Sequence, residues 1–577
     1  MAETNESAPN ESGLEKIKRE SDYLRGTLAD ELKNDEPAFS SDSVQIVKFH
    51  GMYQQDNRDL RKRTGPDGKR LGKAYSLMVR IKLPGGAMTG DQLLAQIALA
   101  DELGDTTLRI TDRQDLQLHG ILKKNIKAAI RRINEVQLTT LGACGDVNRN
   151  PMCCPAPLRH DGVRDRLQEL AKTLSDHLLP QTTAYHEVWL TDGDSGEKEL
   201  VGGGSEGHEI EPLYGPQYLP RKFKVAFALP DDNCTDVFTN DVGYVVDVQN
   251  GEIVGLHVFV GGGMGVTPSN ANTFPAVAKP LTYVAVDEVI PLTEAILKVQ
   301  RDFGNRADRK RARMKYLIAD WGIERFREKV SEYYGKPLAD PRPVDVVDVE
   351  DHLGRHPQGD GKWFYGLFVE NGRLLDREGF TIKSAVREIC ETLRPNIRFT
   401  PQQNVLFIDL DEAQLDTLEA ILVRHGVKRS EDVSTVRRWS MACVALPTCP
   451  LAVTESERAL PGIMDKLEAE LERLGLADER FTVRMTGCPN GCARPYIADI
   501  GLVGRTLGKY TIFLGGTLLG NRLAEKYIDR VPEAELVPRL VRVFELFRDK
   551  RNEGETFGDF CHRLGVEAIR RACGEED

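Results

Sequence analysis

The chain has 577 residues, of which 40% are hydrophobic and 29% are charged, and its formal net charge is −12. This composition is typical of a globular protein with three or four domains, and the negative charge argues against general nucleic-acid binding. No apolar run reaches the roughly 18 residues of a membrane-spanning helix, and the polar start from Met1 to Gly13 differs from a signal peptide. We therefore expect a cytoplasmic protein that binds neither nucleic acid nor membrane.

The first predicted elements are an arm and a small α/β unit. We expect residues 1–34 to form a flexible arm with one helical stretch, residues 14–32. Residues 76–83 alternate like a strand, and residues 91–103 have apolar side chains at helical spacing. Residues 107–119 form a second strand-like run with polar side chains at every other position.

The same order of elements returns after residue 360. Residues 363–369 read as a strand, residues 382–393 as a helix and residues 397–408 as another strand. Aligning the second strands of the two units superimposes three residue pairs, Arg109 with Arg398, Thr111 with Thr400 and Gln114 with Gln403. We infer a duplication, in which the two copies pair as pseudo-symmetric halves around one central site.

The segment between the two copies contains a glycine-rich stretch and two basic runs. Gly261-Gly-Gly-Met-Gly265 follows a buried-strand pattern, but it lacks the spacing of a dinucleotide fingerprint. It is either a tight turn or a place where backbone approaches a ligand closely. Residues 219–224 and 309–313 are basic, and each run is either a solvated face or the lining of a pocket for an anion.

Four cysteines near the C-terminus form a metal-binding pattern. Cys443 and Cys449 are spaced C-x5-C, and after a gap of 38 residues Cys488 and Cys492 are spaced C-x3-C. Two thiolate pairs beside proline and glycine with unequal spacing indicate an iron–sulfur cube rather than a zinc knuckle. Because the chain has no convincing nucleotide-binding motif, we expect it to receive electrons from a partner. The other seven cysteines, including the adjacent Cys153 and Cys154, are interpreted as free or structural thiols.

The strand-like run at residues 107–119 predicts a polar pocket. Arg109, Arg113, Gln117 and His119 all have odd numbers, so a single strand would place them on one face. The alternative is a solvent-facing strand edge, which would carry mixed charges, but Asp115 is the one acid on that face.

With these motifs in place, the chain resembles the nitrite and sulfite reductase family over residues 21–560. The resemblance rests on Phe49-His-Gly-Met-Tyr-Gln-Gln-Asp56, Asn148-Arg-Asn150, Leu219-Pro-Arg-Lys-Phe-Lys224 and the two cysteine motifs. Tyr23-Leu-Arg-Gly-Thr27 and the motif at residues 49–56 are similar to the hemoprotein branch, whose partner is a flavoprotein (FAD/FMN) that oxidises NADPH.

The resemblance implies an α+β (mixed α/β) fold. It would contain two pseudo-symmetric ferredoxin-like half-repeats and two larger α/β domains that hold siroheme and an iron–sulfur cluster. The implied divisions are an arm for partner docking at 1–34, half-repeats at 35–145 with 346–428, a siroheme and substrate domain at 146–345, and an iron–sulfur and siroheme domain at 429–577.

The resemblance also implies a chemistry, the six-electron reduction of sulfite to sulfide at a siroheme coupled to a [4Fe-4S] cluster. Cys492 would be both a cluster ligand and the axial ligand of the siroheme iron. The substrate oxyanion needs cations that bind it and supply protons, and the matching residues are Arg80, Arg149, Lys222 and Lys224. The implied cofactor-binding residues are Arg109, Arg113, Gln117, His119, Arg221, Arg313, Gln403 and Asn490.

Two other functions stay open from the sequence. One is a ferredoxin-dependent sulfite or nitrite reductase of the same family, although the pair Lys222 and Lys224 favours sulfite. The other is a non-catalytic iron–sulfur electron carrier, which needs no tetrapyrrole and no cationic pocket.

Overall fold

The computed structural model describes residues 11–66, 68–70, 72–185, 188–193, 195–202 and 211–575. Helices and strands both occur along the whole described chain, and the fold is mixed α/β as predicted. Its α-helices are α1 (Gly13–Arg19), α2 (Leu28–Glu31), α3 (Ser43–Ile46), α4 (Gly90–Leu103), α5 (Ile126–Glu135), α6 (Val163–His177), α7 (Val289–Phe303), α8 (Met314–Trp321), α9 (Ile323–Tyr334), α10 (Ile382–Leu393), α11 (Glu412–Arg424), α12 (Thr435–Arg438), α13 (Leu460–Leu474), α14 (Leu536–Lys550), α15 (Phe557–Leu564) and α16 (Val566–Ala572).

The strands form three five-stranded sheets, one four-stranded sheet and two small hairpins within the described residues. They are β1 (Met52–Asp56), β2 (Tyr75–Ile81), β3 (Ala87–Thr89), β4 (Leu108–Ile110), β5 (Leu116–Ile121), β6 (Val188–Thr191), β7 (Lys198–Gly202), β8 (Val225–Ala228), β9 (Val242–Gln249), β10 (Glu252–Val260), β11 (Lys279–Val284), β12 (Gly354–Pro357), β13 (Trp363–Leu367), β14 (Arg373–Leu374), β15 (Asp376–Arg377), β16 (Phe380–Thr381), β17 (Asn396–Phe399), β18 (Val405–Leu410), β19 (Ser440–Ala442), β20 (Val483–Thr486), β21 (Ile500–Thr506), β22 (Lys509–Leu514) and β23 (Glu525–Pro532).

Two of the five-stranded sheets are the predicted half-repeats, and they exchange a strand. Their strand orders are β1-β2-β5-β4-β14 and β12-β13-β18-β17-β3, so each copy donates one short strand to the edge of the other copy's sheet. Helices α4 and α10 pack against each other, and one apolar core is shared by both copies. The duplication and the pairing of the two copies are therefore confirmed.

The crossing point of the two copies is symmetric in atomic detail. Gly86 and Gly372 both have positive φ, +77° and +73°. A Cβ on Gly86 would lie 2.4 Å from the carbonyl oxygen of Phe399, and one on Gly372 would lie 2.2 Å from that of Ile110. Both positions require glycine, because any side chain would meet backbone of the opposite copy.

The predicted single strand at residues 107–119 is wrong, because the segment folds as a hairpin of β4 and β5. Its turn forms because Thr111 Oγ1 accepts the backbone N–H groups of Arg113, at 3.2 Å, and Asp115, at 3.0 Å, while Gln114 has a φ of +61°. Strand alternation therefore stops at Thr111. Arg109 and Gln117 still share a face, because they lie directly opposite each other in the antiparallel pair.

The N-terminal segment also differs from the prediction. The expected helix at residues 14–32 is two short helices, α1 and α2, separated by Asp22, Tyr23 and Leu24, which all have positive φ. From residue 11 onward the segment packs on the protein rather than forming a flexible arm, because Lys18 is fully buried and its Nζ donates to the Leu219 carbonyl at 2.7 Å. Residues 1–10 of the predicted arm lie outside the described residues.

The remaining sheets carry the two larger α/β regions. The four-stranded sheet has the order β11-β10-β9-β8 and shares an apolar core with α6, α7, α8 and α9. The third five-stranded sheet has the order β19-β20-β21-β22-β23, and its core includes residues of α13, α14, α15 and α16. None of the helices in the described ranges is both long enough and apolar enough to cross a bilayer.

Candidate functional site

The sheet topology brings the two cysteine pairs to one edge. β19 and β20 are parallel neighbours, and Cys443 follows β19 while Cys488 follows β20. The backbone N–H of Cys443 donates to the Met485 carbonyl at 3.1 Å, which continues the pairing of the strands. The carboxyl ends of adjacent parallel strands lie at the same edge of a sheet. The two cysteine-bearing loops therefore start side by side, although 38 residues separate the two cysteine pairs in the sequence.

Close backbone packing holds these two loops together. A Cβ on Gly487 would lie 2.5 Å from the Cβ of Ala445 and 2.6 Å from the carbonyl oxygen of Thr454, so glycine is required there. The Gly487 N–H donates to Cys443 Sγ at 3.4 Å, and the Asn490 side-chain amide donates to Cys488 Sγ at the same distance. Amide donors of this kind stabilise thiolates, as a metal site needs.

The electrostatics of the cysteine loops favour a bound cation. Burial, and after it the charge of Cys492, raise the pKa of Cys443 above its usual range and the pKa of Cys488 to about 12. Burial and Cys492 also raise the pKa of Cys449. The four sulfur atoms are therefore close enough to oppose each other's ionisation, and a metal centre would stabilise all four as thiolates. The donor set fits an iron–sulfur cube.

The glycine-rich stretch at residues 261–265 lies against the second cysteine loop. The Val266 N–H donates to the Pro489 carbonyl at 3.0 Å, and a Cβ on Gly491 would lie 3.2 Å from the carbonyl oxygen of Met264. The glycine-rich stretch therefore packs closely against the loop that carries Cys488 and Cys492. Its approach to a ligand stays a prediction.

A row of polar side chains crosses the first half-repeat. Arg80 on β2 lies opposite Gln117 on β5, Gln117 lies opposite Arg109 on β4, and Arg109 lies opposite Arg373 on β14. Directly opposed residues share a face, so the four side chains form one line. With the Gln117 amide assigned so that its oxygen faces Arg80, that oxygen accepts from Arg80 Nε at 3.1 Å and Nη2 at 2.6 Å. His119 is two residues further along β5, and its Nδ1 is 3.3 Å from the Gln55 amide oxygen.

The second half-repeat has no such row. The equivalent positions are Gly366, Leu406, Arg398 and Ala87, which pair in the same register. Of the four polar residues of the row, the second copy therefore retains one, the arginine at position 398. Only the first copy presents a polar face at this place in its sheet. The duplication supplies the scaffold, and substitutions in one copy supply the pocket.

Lysine and arginine side chains gather beside this row. The backbone around Arg149 runs parallel to the segment that carries Lys222 and Lys224, with the Arg149 N–H donating to the Phe223 carbonyl at 2.8 Å. The Ala143 carbonyl accepts from Nη1 of both Arg149, at 2.8 Å, and Arg80, at 3.4 Å. The four predicted catalytic residues therefore lie in one region.

The surroundings of Lys222 and Lys224 disfavour a positive charge on either side chain. Burial, and after it Lys224 and Arg221, lower the pKa of Lys222 well below its usual value. Burial and Arg113 lower the pKa of Lys224 to about 7. Neither ammonium forms a hydrogen bond or ion pair with the described part of the chain. An anion bound between them would supply the missing counter-charge.

The predicted cofactor-binding residues divide into paired and unpaired groups. Carboxylates bind three of them: Glu457 binds Arg109 at 2.9 Å, Asp241 binds Arg313 at 2.9 Å, and Asp146 lies 3.6 Å from Arg221. Within the described part of the chain, Arg113 instead donates only to neutral acceptors, the Asn240 side chain at 2.8 Å and the carbonyls of Asn150 and Val225.

Several buried polar atoms in this region lack a partner among the described residues, and Arg113 Nε and Gln403 Oε1 are two of them. The Gln403 amide nitrogen donates to the Ala442 carbonyl at 3.1 Å, next to Cys443. Buried atoms without partners and cations without carboxylates are the features expected of a pocket for a polyanionic cofactor such as siroheme. The residues present therefore fit that group.

Sequence reasoning missed the residues that join the parts of the site. Arg373 extends the polar row, and Glu457 binds both it and Arg109. Arg494 is two residues beyond Cys492 and donates to the carbonyls of Asp112 and Pro401, one in each half-repeat. Extending the alignment of the two copies without a gap places Asp376 over Ala87. Only the strand pairing in the structure makes Arg373 the equivalent of Ala87, so the repeat alone does not point to this arginine.

Comparisons with known proteins agree with this geometry. The nitrite and sulphite reductase 4Fe-4S domain matches residues 144–338 and 434–577. The nitrite/sulfite reductase ferredoxin-like half domain matches twice, at residues 70–136 and 356–425. These ranges correspond to the two larger α/β regions and to the two copies of the repeat.

Relatives of the chain carry related names. The chain is 43% identical to the sulfite reductase [ferredoxin] of Synechococcus elongatus, covering 97% of this chain and 90% of the relative. It is 42% identical to the sulfite reductase [NADPH] hemoprotein beta-component of Staphylococcus haemolyticus, covering 98% of each. The structure of the Mycobacterium tuberculosis NirA protein is similar with a TM-score of 0.76 and 26% identity, over 96% of this chain and 97% of that one. The chain belongs to the nitrite and sulfite reductase 4Fe-4S family.

Proposed function

We propose that the chain is the hemoprotein component of an assimilatory sulfite reductase, which reduces sulfite to sulfide with six electrons. The observation that carries this proposal is a group of four cations, the buried Arg149 and the half-buried Arg80, Lys222 and Lys224. None of them has a carboxylate within ion-pair distance among the described residues. Such a group binds a small oxyanion and supplies protons, which an electron carrier does not need. Arg109 connects this group to the cysteine loops by donating to the Ala442 carbonyl at 2.8 Å.

The cysteines and the polar row would hold the two cofactors. Cys443, Cys449, Cys488 and Cys492 would bind a [4Fe-4S] cluster, with Cys492 also bound to the siroheme iron. Arg113 and Gln403 would use their free polar atoms on siroheme, together with Arg109, Gln117, His119, Arg221 and Arg313, while Asn490 would support the cluster. When bound, these cofactors supply electrons one at a time.

The cationic side chains bind the substrate and hold the protons that its reduction consumes. Arg80 and Arg149 are already held by carbonyl groups, so their remaining N–H groups can bind sulfite oxygens with little loss of side-chain entropy. Lys224, with a pKa of about 7, is close to half protonated at neutral pH. It can therefore give a proton to a leaving oxygen and regain one from water.

The electron donor in this proposal is a flavoprotein alpha-component that oxidises NADPH. A ferredoxin is the second candidate, because one relative of 43% identity is named for that donor. We also propose the domain divisions given by the resemblance from residue 35 onward, with residues 1–34 as a segment for partner docking. The proposed location is the cytoplasm. Adding purified ferredoxin or flavoprotein, each with its own reductant, to the same preparation distinguishes the donors by the rate of sulfide formation.

The proposed activity is tested by steady-state reduction of sulfite and nitrite with a reduced viologen dye. Lys222→Met should lower the rate of sulfide formation roughly 100-fold or more while siroheme stays bound, because a proton donor is lost. The exposed Lys310 provides the control, since Lys310→Met should keep the wild-type rate. Loss of siroheme in Lys222→Met would make this lysine a cofactor ligand, and a wild-type rate would contradict its catalytic role.

A further inference from the structure

A second group of metal-ligating side chains lies outside the proposed site. Cys154, Asp232, Cys234 and His352 each offer one ligand atom, and these four atoms all lie within 4.8 Å of one another. The side chains are between 0% and 5% exposed. No other set of three or more such atoms in the described ranges is as compact. The four residues are called the tetrad below.

Separate segments of the fold contribute to the tetrad. Cys154 follows a bridge between Met152 and β8, while Asp232 and Cys234 lie in the loop after β8. His352 lies just before β12, at the start of the second half-repeat. A ligand shared by the tetrad would therefore join the four-stranded sheet region to the second half-repeat.

The ligand atoms of the tetrad surround one point and do not form the chain of hydrogen bonds of a nucleophilic triad. His352 uses the same ring nitrogen, Nε2, toward Asp232 Oδ2 at 3.0 Å and toward Cys154 Sγ at 3.5 Å. In a nucleophilic triad the histidine would use its two nitrogens for the two partners, and the nucleophile would face solvent. Here Cys154 Sγ is itself 2.9 Å from Asp232 Oδ2, so the three atoms form a closed triangle.

The triangle has nearly the size of one face of a tetrahedral zinc site. Zinc binds sulfur at about 2.3 Å and nitrogen or oxygen at about 2.0–2.2 Å, which separates its ligand atoms by about 3.3–3.8 Å. The Cys154–His352 separation already lies in this range, and the two contacts of Asp232 would have to widen by a few tenths of an ångström. Two thiolates with one imidazole and one carboxylate suit zinc better than calcium or magnesium.

The surroundings of Asp232 support a ligand role. Its second oxygen, Oδ1, accepts the backbone N–H groups of Cys234 at 3.2 Å and Glu350 at 3.4 Å, which fixes the carboxylate. Arg164 Nη2 lies 3.7 Å from Oδ2. Two thiolates and one carboxylate would then be balanced by a divalent ion and one guanidinium, so the buried group would be neutral.

We propose that the tetrad binds one structural zinc ion that fixes the start of the second half-repeat to the loop after β8. Neither the electron transfer nor the chemistry of sulfite requires this ion. Its role would be to stabilise the relative position of two regions that together form the pocket.

The test measures zinc and iron in the same holoenzyme sample by plasma mass spectrometry. After growth with added zinc and a chelator wash, wild type should contain about one zinc per chain, and Cys234→Ala should retain less than about 0.2 with its iron unchanged. Cys390→Ala is the matched control, because Cys390 is equally buried but lies in α10 away from the tetrad, and it should keep the zinc.

Zinc-edge X-ray absorption of the wild-type holoenzyme keeps the proposal testable even if Cys234→Ala fails to fold. Two sulfur ligands at about 2.3 Å and two lighter ligands at about 2.0 Å are expected. Wild type without zinc after incubation with zinc chloride, equal zinc in Cys234→Ala, or a Cys154–Cys234 disulfide in the unreduced protein would each overturn the proposal.

Discussion

The carboxylate of Glu457 links the first half-repeat, the exchanged strand β14 and the first cysteine loop. It binds Arg109 at 2.9 Å and Arg373 at 2.6 and 3.0 Å, and its own N–H donates to the Cys443 carbonyl at 3.1 Å. Glu457→Gln keeps the shape but removes the charge, which leaves the buried Arg109 and the largely buried Arg373 without their shared carboxylate. Breaking a buried pair in this way costs about 3–5 kcal/mol.

Urea unfolding measures this loss in the free energy of unfolding. Urea is uncharged and therefore does not screen the ion pairs. With an m-value of about 3 kcal/mol per M, the first unfolding transition of Glu457→Gln should move to lower urea by about 1–1.7 M. Glu455→Gln is the control, since Glu455 lies two residues away and its pair with Arg458 is exposed. An exposed pair contributes about 1 kcal/mol or less, so that variant should move by about 0.3 M at most.

The pH dependence provides an independent check. Although burial opposes its charge, Arg373 and Arg109 lower the pKa of Glu457 below its usual value of 4.5. A lowered pKa in the folded state gives stability that is present above pH 4.5 and lost as the pH falls through the folded value. The difference between wild type and Glu457→Gln should therefore shrink below pH 4.5. Equal shifts for Glu457→Gln and Glu455→Gln at pH 7 would refute the reasoning.

Three further predictions concern the cluster, the pocket and the repeat. Cys492→Ser should lose cluster iron and sulfite reduction together, whereas Cys573→Ser should keep both; full activity in the first variant would contradict a shared thiolate. Above pH 7 the charge of Lys224 is lost, because burial lowers its pKa to about 7, so the KM for nitrite should rise between pH 7 and 9 and Lys224→Arg should flatten this rise. Gly86→Ala combines a positive φ with a 2.4 Å approach to the Phe399 carbonyl and should destabilise by about 3 kcal/mol or more. Gly335→Ala, which has a φ of +81° and open space around its Cβ, should cost only about 1–2 kcal/mol, and equal urea midpoints would contradict the clash.

The sequence predicted the duplication because the repeat preserves local chemistry. Thr111 and Thr400 each close the same turn, and Gln114 and Gln403 each have a positive φ within it. Such short-range signals survive in a single sequence. The exchange of β3 and β14 between sheets does not produce a local signal, because each strand is only two or three residues long and its partner is in the other copy.

The sequence also did not predict which side chains from distant segments come together in the fold. The spacing of the cysteines indicated a cluster because both pairs are local motifs. Cys154, Cys234 and His352 have no such spacing, and only the fold brings them together. The hairpin at residues 107–119 was missed for a related reason: polar residues on both strands imitate one continuous alternation across the turn at Thr111.

The central claim is that one chain carries both a siroheme and an iron–sulfur cluster. It is tested most directly by the visible spectrum of the as-isolated protein together with its iron and acid-labile sulfide content. We predict siroheme absorption bands with about five iron atoms and about four sulfides per chain, since the cluster contributes four irons and the siroheme one. Cluster iron without any tetrapyrrole band would contradict the claim and would leave the electron carrier as the better account.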